Sequence, residues 1–240
     1  MTRARLTHSG RRGKGSRVYV RNRDAGGVDQ GGAFETHVTV ECAGEDEPAR
    51  LEAWAGGRGL KVTTIVLARG RTRVQPMLTL PDRTGHPALV AALREAGFAP
   101  VRVKVETVPW STEPTGPGGG YHEHHLKLAL PASYDRAALE ALVVPHGAHV
   151  SWNARRTLPG PGGRHERFVT QRHPGPAPAA LRACDELLAA LTASGYDVVG
   201  EERELVLSDS DPSVDDGWLE PAVARPHAAP ARPPRTEETR

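Results

Sequence analysis

Two stretches of this chain read alike, and their alignment constrains the fold more than any other feature. Phe34-Glu35-Thr36-His37-Val38-Thr39-Val40 alternates as a strand does, and Tyr121-His122-Glu123-His124-His125-Leu126-Lys127-Leu128 repeats its Glu and His. Setting Glu35 on Glu123 and His37 on His125 also sets Leu51 on Leu139, Gly59 on Gly147, Val62 on Val150 and Thr63 on Ser151. Loop insertions around Pro159–Gly163 and Pro174–Pro178 restore the register, so that Leu89 meets Leu187, Leu93 meets Leu191, Gly97 meets Gly195 and Phe98 meets Tyr196. One register held over several elements marks an internal repeat.

Each copy reads as strand, helix, two strands, helix, strand. The strands fall at 33–42, 60–68, 73–80 and 99–108, and again at 121–130, 148–156, 165–172 and 197–207. The first helices carry Leu51, Trp54 and Ala55, or Leu139, Leu142 and Val143, at helical spacing. The second helices carry Leu89, Val90 and Leu93, or Leu181, Cys184, Leu188 and Leu191, and stop at Gly97 or Gly195. This order predicts an α+β fold of tandem duplicated ferredoxin-like (βαββαβ) modules, 33–109 and 121–207, with helices on one sheet face and a polar open face.

Gly and Pro, 26 and 21 of the 240 residues, fall mostly outside those blocks. They predict a disordered basic arm over 1–32, a linker over 110–120, an acidic docking segment over 208–220 and a disordered Pro-rich tail over 221–240. In the acidic segment, Trp218 beside Asp215 and Asp216 suggests a side chain that folds back across the second module. The net charge of +2 describes no single surface, because residues 1–32 are basic and 201–220 acidic. The arm could contact nucleic acid weakly through its charge. No apolar run approaches the 18 residues of a spanning helix, and the N-terminus lacks the apolar core of a secretory signal. With only two cysteines, Cys42 and Cys184, the expected setting is a reducing bacterial cytoplasm.

Alternation assigns side chains to faces. If Val38, Val40, Leu126 and Leu128 point to the helices, then Glu35, His37, Thr39, Glu123, His125 and Lys127 point the other way. Lys61 and Thr63 join them from the second strand of the first module, and His149, Ser151, Asn153 and Arg155 from that of the second. Two copies of Glu-x-His on one kind of face nominate His37 and His125 as acid and base, oriented by Glu35 and Glu123. Thr39, Lys61, Lys127, His149, Asn153, Arg155 and Arg172 are then candidates to bind an anionic small molecule or nucleotide.

His37-Val38-Thr39-Val40 resembles the His-x-Thr-x signature of the 2H phosphoesterases, with His125-Leu126-Lys127-Leu128 as its counterpart. Lys127 stands where that family has Thr or Ser. The resemblance implies a two-lobed, phosphoesterase-like hydrolase in which one imidazole is base, the other acid, and Thr39 and Lys127 hold the phosphate. Read from the residues alone, Glu35, His37, Glu123 and His125 also fit a divalent-metal site for zinc, manganese or iron. A third reading is a non-enzymatic ligand- or RNA-binding module, but only Tyr121 and Phe168 could stack on bases. Gly118–Gly120 and Gly160–Gly163 do not lead from strand to helix as a phosphate loop would. Asp209, Asp211, Ser213 and Glu220 have calcium-loop spacing, but Val214 occupies the position that needs glycine.

Overall fold

The computed structural model describes residues 34–154, 157–158 and 163–218. The basic arm, the Pro-rich tail and Arg155 lie outside the described residues. The first half contains β1 (Phe34–Glu41), α1 (Glu47–Gly56), β2 (Val62–Leu67), β3 (Val74–Leu80), α2 (His86–Glu95) and β4 (Ala99–Thr107). The second contains β5 (Tyr121–Pro131), α3 (Arg136–Val143), β6 (Ala148–Asn153), β7 (Thr157–Leu158), β8 (Arg164–His173), α4 (Ala177–Ala193) and β9 (Val198–Asp209).

Local chemistry sets the helix ends. A proline occupies the first turn of α1, α2 and α4, where its missing N–H is not needed. In α3 the Asp135 carboxylate accepts the Ala138 N–H at 3.0 Å. Gly97 and Gly195, at φ of 79° and 81°, end α2 and α4 in the left-handed region that glycine tolerates.

The strands do not form two open sheets. They follow the order β5-β9-β4-β1-β3-β2-β6-β8, and β8 pairs again with β5, which closes an eight-stranded antiparallel barrel. This overturns the expected tandem ferredoxin-like modules with an open polar face. The seams β2–β6 and β4–β9 join the two halves, and the polar faces expected to stay open on separate sheets line one closed lumen. Register shifts in β1 at Thr39/Val40, in β4 at Val105/Glu106 and in β5 at Lys127/Leu128 bend the wall.

The apolar core lies outside the barrel, under the helices. Val38, Val40 and Leu78 pack with Leu51, Ala55, Leu89 and Leu93 of α1 and α2. Leu126, Leu128, Val150 and Val169 pack with Leu139, Val143, Cys184, Leu187 and Leu191 of α3 and α4. Each fully buried leucine contributes about 1.5–3 kcal/mol. No helix among the described residues is long and apolar enough to cross a membrane.

His124 has the parity of that outer core and is fully buried. Gln171 Nε2 donates to the carbonyls of His146 and Ala183, so its Oε1 faces His124 and accepts from Nδ1–H at 3.0 Å. Nε2 therefore lacks a proton, and burial pushes the imidazole down to about 4. An unfolded histidine titrates near 6.5, so the unfolded chain takes up this proton first as pH falls. The stability at stake is fully present above about pH 6.5 and is lost on the way to pH 4, on the order of 2–3 kcal/mol. Urea titrations at pH 7.5 and 4.5 should show a smaller acid loss in His124→Leu than in the parent; equal losses would refute this origin.

After β9 the chain turns back as a hook. Asp211 caps a short 3-10 turn, Pro212–Asp215, by accepting the Ser213 N–H. Trp218 then buries its ring against Leu67 and Ile65, and its Nε1–H donates to the Val150 carbonyl at 3.2 Å. The turn between β2 and β3 grips the hook, since Arg71 N–H donates to the Asp216 carbonyl and Arg71 Nη2 to the Ser213 carbonyl.

Candidate functional site

The barrel encloses a cavity of about 240 Å³. An eight-stranded barrel either fills with side chains or leaves room for one small ligand, and this one leaves room. Alternation decides what lines it: Glu35, His37 and Thr39 from β1, Arg102, Lys104 and Glu106 from β4, Glu123 and His125 from β5, Glu202 and Glu204 from β9. Met77 and Thr79 come from β3, Thr63, Ile65 and Leu67 from β2, Ser151 from β6, Phe168 and Thr170 from β8, and Asp215 and Trp218 from the hook.

Equivalent registers place the same groups together in each half. His37 lies opposite Thr79, and its Nδ1 is 2.9 Å from Thr79 Oγ1. His125 lies opposite Thr170, with Nδ1 at 3.0 Å from Thr170 Oγ1. Glu35 pairs with Glu106 across β1–β4, as Glu123 pairs with Glu204 across β5–β9. His37 Nε2 is 2.9 Å from Glu106, and His125 Nε2 is 3.6 Å from Glu204. Each half thus builds a Thr–His–Glu chain. Because Glu106 is an ionised acceptor, His37 Nε2 carries the proton and Nδ1 accepts from the Thr79 hydroxyl.

One substitution breaks the symmetry. Opposite His37 stands Lys104, and opposite His125 stands Glu202. Lys104 Nζ lies 2.6 Å from Glu106 and 2.5 Å from Glu123. Burial alone would raise Glu106, but Lys104 and His37 outweigh it and hold its carboxyl well below the usual range. Glu204 goes the other way: burial, then the negative Glu106, push it well above that range. The two carboxyl groups are therefore pushed in opposite directions, the pattern that sets an acid apart from a base.

A chain of ion pairs leads from this pair to the hook. Arg172 binds Glu123 at 2.6 Å and Asp215 at 2.8 Å. Arg102 binds Asp215 at 2.8 Å and holds both oxygens of Asp209, which also accepts the Tyr121 hydroxyl at 2.6 Å.

The lumen brings together only some of the residues nominated from sequence. His37, His125, Glu35, Glu123 and Thr39 line the cavity. Lys61 is exposed and outside it, and Lys127 does not line it but rests its Nζ 5.4 Å over the Phe168 ring. Arg172 is taken up by Glu123 and Asp215, and Asn153 is half-buried at the β2–β6 seam opposite Ile65. His149 accepts from Arg69 Nη2 at 3.0 Å and is pushed down to about 4, first by burial and then by Arg69.

The metal set proposed from sequence is not the set that converges. Both Glu123 oxygens are engaged by Lys104 and Arg172. Among the described residues it is Glu106, His125 and Glu204 whose ligand atoms lie within 4.8 Å of one another, and Glu106 already holds Lys104 and His37. Among the described residues, the cations nominated for phosphate, Lys61, Lys127 and Arg172, do not line the lumen, which leaves a phosphoesterase-like hydrolase without support there; metal binding has none either, since Glu106 and Glu123 already hold cations. Sequence reading missed Lys104, Glu106, Glu204, Thr79 and Thr170. Period-two alternation in Arg102-Val103-Lys104-Val105-Glu106 carried the signal for the first two.

No protein-family model and no curated protein matches the chain. The regulatory subunit of aspartate kinase from Thermus thermophilus is 16% identical, over 67% of this chain and 93% of that one, with a TM-score of 0.29. An unknown protein from Galdieria sulphuraria is 17% identical, over 72% and 98%, with a TM-score of 0.25. Chlorite dismutase from Candidatus Nitrospira defluvii is 12% identical, over 67% and 82%, with a TM-score of 0.26. Likenesses this slight carry no argument, so function has to come from the lumen's own residues.

Proposed function

We propose that the barrel is an enzyme that moves a proton within a small molecule bound in its lumen. The observation that carries this reading is the pair of Thr–His–Glu chains whose carboxyl groups are pushed in opposite directions, Glu106 down and Glu204 up. On one side, the Thr79 oxygen takes a proton from the substrate as its own proton passes to His37 Nδ1. Glu106 stabilises the imidazolium that results. On the other side, Glu204, whose affinity for a proton is raised by burial and by Glu106, is the group to return one, with His125 and Thr170 beside it. Such a pair suits isomerisation or elimination next to a carbonyl, where one proton leaves and another arrives.

The test is proton NMR in D₂O on small carbonyl compounds grouped by charge. Protein-dependent replacement of a carbon-bound hydrogen by deuterium is expected, falling about 10²–10⁴-fold in His37→Gln and in Glu204→Gln with the fold unchanged. Exchange at the parent rate in both variants, or no exchange and no conversion in any charge class, refutes the proposal.

A further inference from the structure

Resting on the reading of the lumen as a site of proton transfer, we infer that its substrate is a short ketone or aldehyde whose carbonyl oxygen sits on the Thr39 hydroxyl. A proton leaves a carbon beside a carbonyl only if the oxygen can take up charge. The C–H electron pair becomes the enolate C=C bond, the carbonyl π pair moves onto oxygen, and a hydrogen-bond donor aimed at that oxygen stabilises it. Thr39 keeps its own proton throughout; the substrate's proton goes to Thr79.

Position singles out Thr39. It lies one alternation along β1 from His37 and across from Met77, while His37 lies across from Thr79. Thr39 and Thr79 are therefore diagonal neighbours, about 7–8 Å apart in backbone and less at Cβ, a span that a carbonyl and its α-carbon bridge between two hydroxyls. The returning acid, Glu204, stands on β9, and in the order β9-β4-β1-β3 a molecule reaching from Thr79 to Glu204 crosses β1. Thr63, the matching neighbour on β2, lies on the far side of Met77 from that acid. The pairing of β1 with β4 shifts register immediately after Thr39, an irregularity of the kind that re-aims a side chain beside an active site. The neighbours' chemistry agrees. The Thr79 and Thr170 hydroxyls are engaged with His37 and His125. Arg102 and Lys104 are each held by two carboxylates, and reaching for an oxygen would break a buried pair. Thr39 is 2% exposed and lines the cavity, and its hydroxyl has no hydrogen-bond partner among the described residues. Met77, Ile65 and Phe168 offer apolar surface to the carbon chain. At about 240 Å³ the space falls below the roughly 300–1,000 Å³ of sites for drug-sized ligands, so that chain is short.

The full-length protein, its methionine methyls labelled with ¹³C, is titrated with 2-butanone carrying ¹³C at the carbonyl. Met77 reports occupancy of the lumen, since Met1 is the only other methionine. The ketone's carbonyl carbon is expected to move downfield on binding, as a hydrogen-bonded carbonyl does, in the parent and in Thr39→Ser but not in Thr39→Val. Deuterium exchange into the ketone should fall about 10²–10³-fold in Thr39→Val, mostly in kcat, and recover in Thr39→Ser. No Met77 shift with the ketone, a downfield shift that survives in Thr39→Val, or one lost in Thr63→Val instead overturns the inference. The hydrogen-bond signature without exchange would retain the carbonyl site and remove the enzymatic reading; exchange at the parent rate in Thr39→Val would do the reverse.

Discussion

Replacing Lys104 by methionine is expected to destabilise the protein by about 3–5 kcal/mol, because it strands two buried carboxylates without their shared cation. Glu106 and Glu123 are 1% and 2% exposed, and Lys104 Nζ lies between them at 2.6 and 2.5 Å. Methionine fills much of the lysine stem's volume, so the loss reports charge rather than a cavity. Glu123 keeps Arg172 and Glu106 keeps His37, which sets the upper end of the range. Urea unfolding at pH 7.5 measures it. Adding Glu106→Gln to Lys104→Met should recover part of the loss, since one stranded charge disappears. A single-mutant loss under about 1 kcal/mol would place the network among screened, solvent-exposed pairs and remove the basis for splitting Glu106 from Glu204.

Trp218→Ala is expected to lose about 3–5 kcal/mol, the range for removing a buried aromatic side chain. The ring is 6% exposed, closes the lumen beside Leu67 and Ile65, and spends its N–H on the Val150 carbonyl. The same contact can be attacked from the other side. Gly70 has φ of 109°, and a Cβ there would sit 2.9 Å from the Trp218 Cβ and 3.2 Å from the Asp216 carbonyl oxygen. Gly70→Ala should therefore cost roughly 1–3 kcal/mol through strain in the turn that grips the hook. Denaturant titrations followed by tryptophan fluorescence check both. If neither variant loses more than about 0.5 kcal/mol, the hook is not part of the cooperative unit.

The strand pattern disclosed which side chains share a face, and hid what that face becomes. Alternation in Phe34–Val40 separates Val38 and Val40 from Glu35, His37 and Thr39 whether the sheet is flat or curled. Closure depends on β2 meeting β6 and β4 meeting β9, and an edge pairing leaves no mark in a period-two pattern. The polar face of an open sheet and the lining of a barrel therefore look the same in sequence. Among the site residues, the two histidines were legible because Glu-x-His occurs twice. Glu106 and Glu204 were not, because β4 carries Lys104 where β9 carries Glu202, and that asymmetry breaks the resemblance where it does most for the chemistry. The cations were misjudged for a related reason. A lysine or arginine in a sequence shows its own charge, but not the distant carboxylates that fold onto it: Lys104–Glu123, Arg172–Glu123 and Arg102–Asp215 span 19, 49 and 113 residues, and only Lys104–Glu106 is local.

The two seams also govern when the molecule can become complete. Residues 104–107 of β4 wait for 205–209 of β9, and 65–67 of β2 for 151–153 of β6. As the chain emerges from the ribosome, the first half presents two bare strand edges until the second half arrives, and the cylinder shuts only when β9 slides between β4 and β5. Contacts this distant in sequence make folding slow, and bare edges invite pairing with other chains meanwhile. The lumen forms last, from two walls that are each exposed to water until the final strand docks.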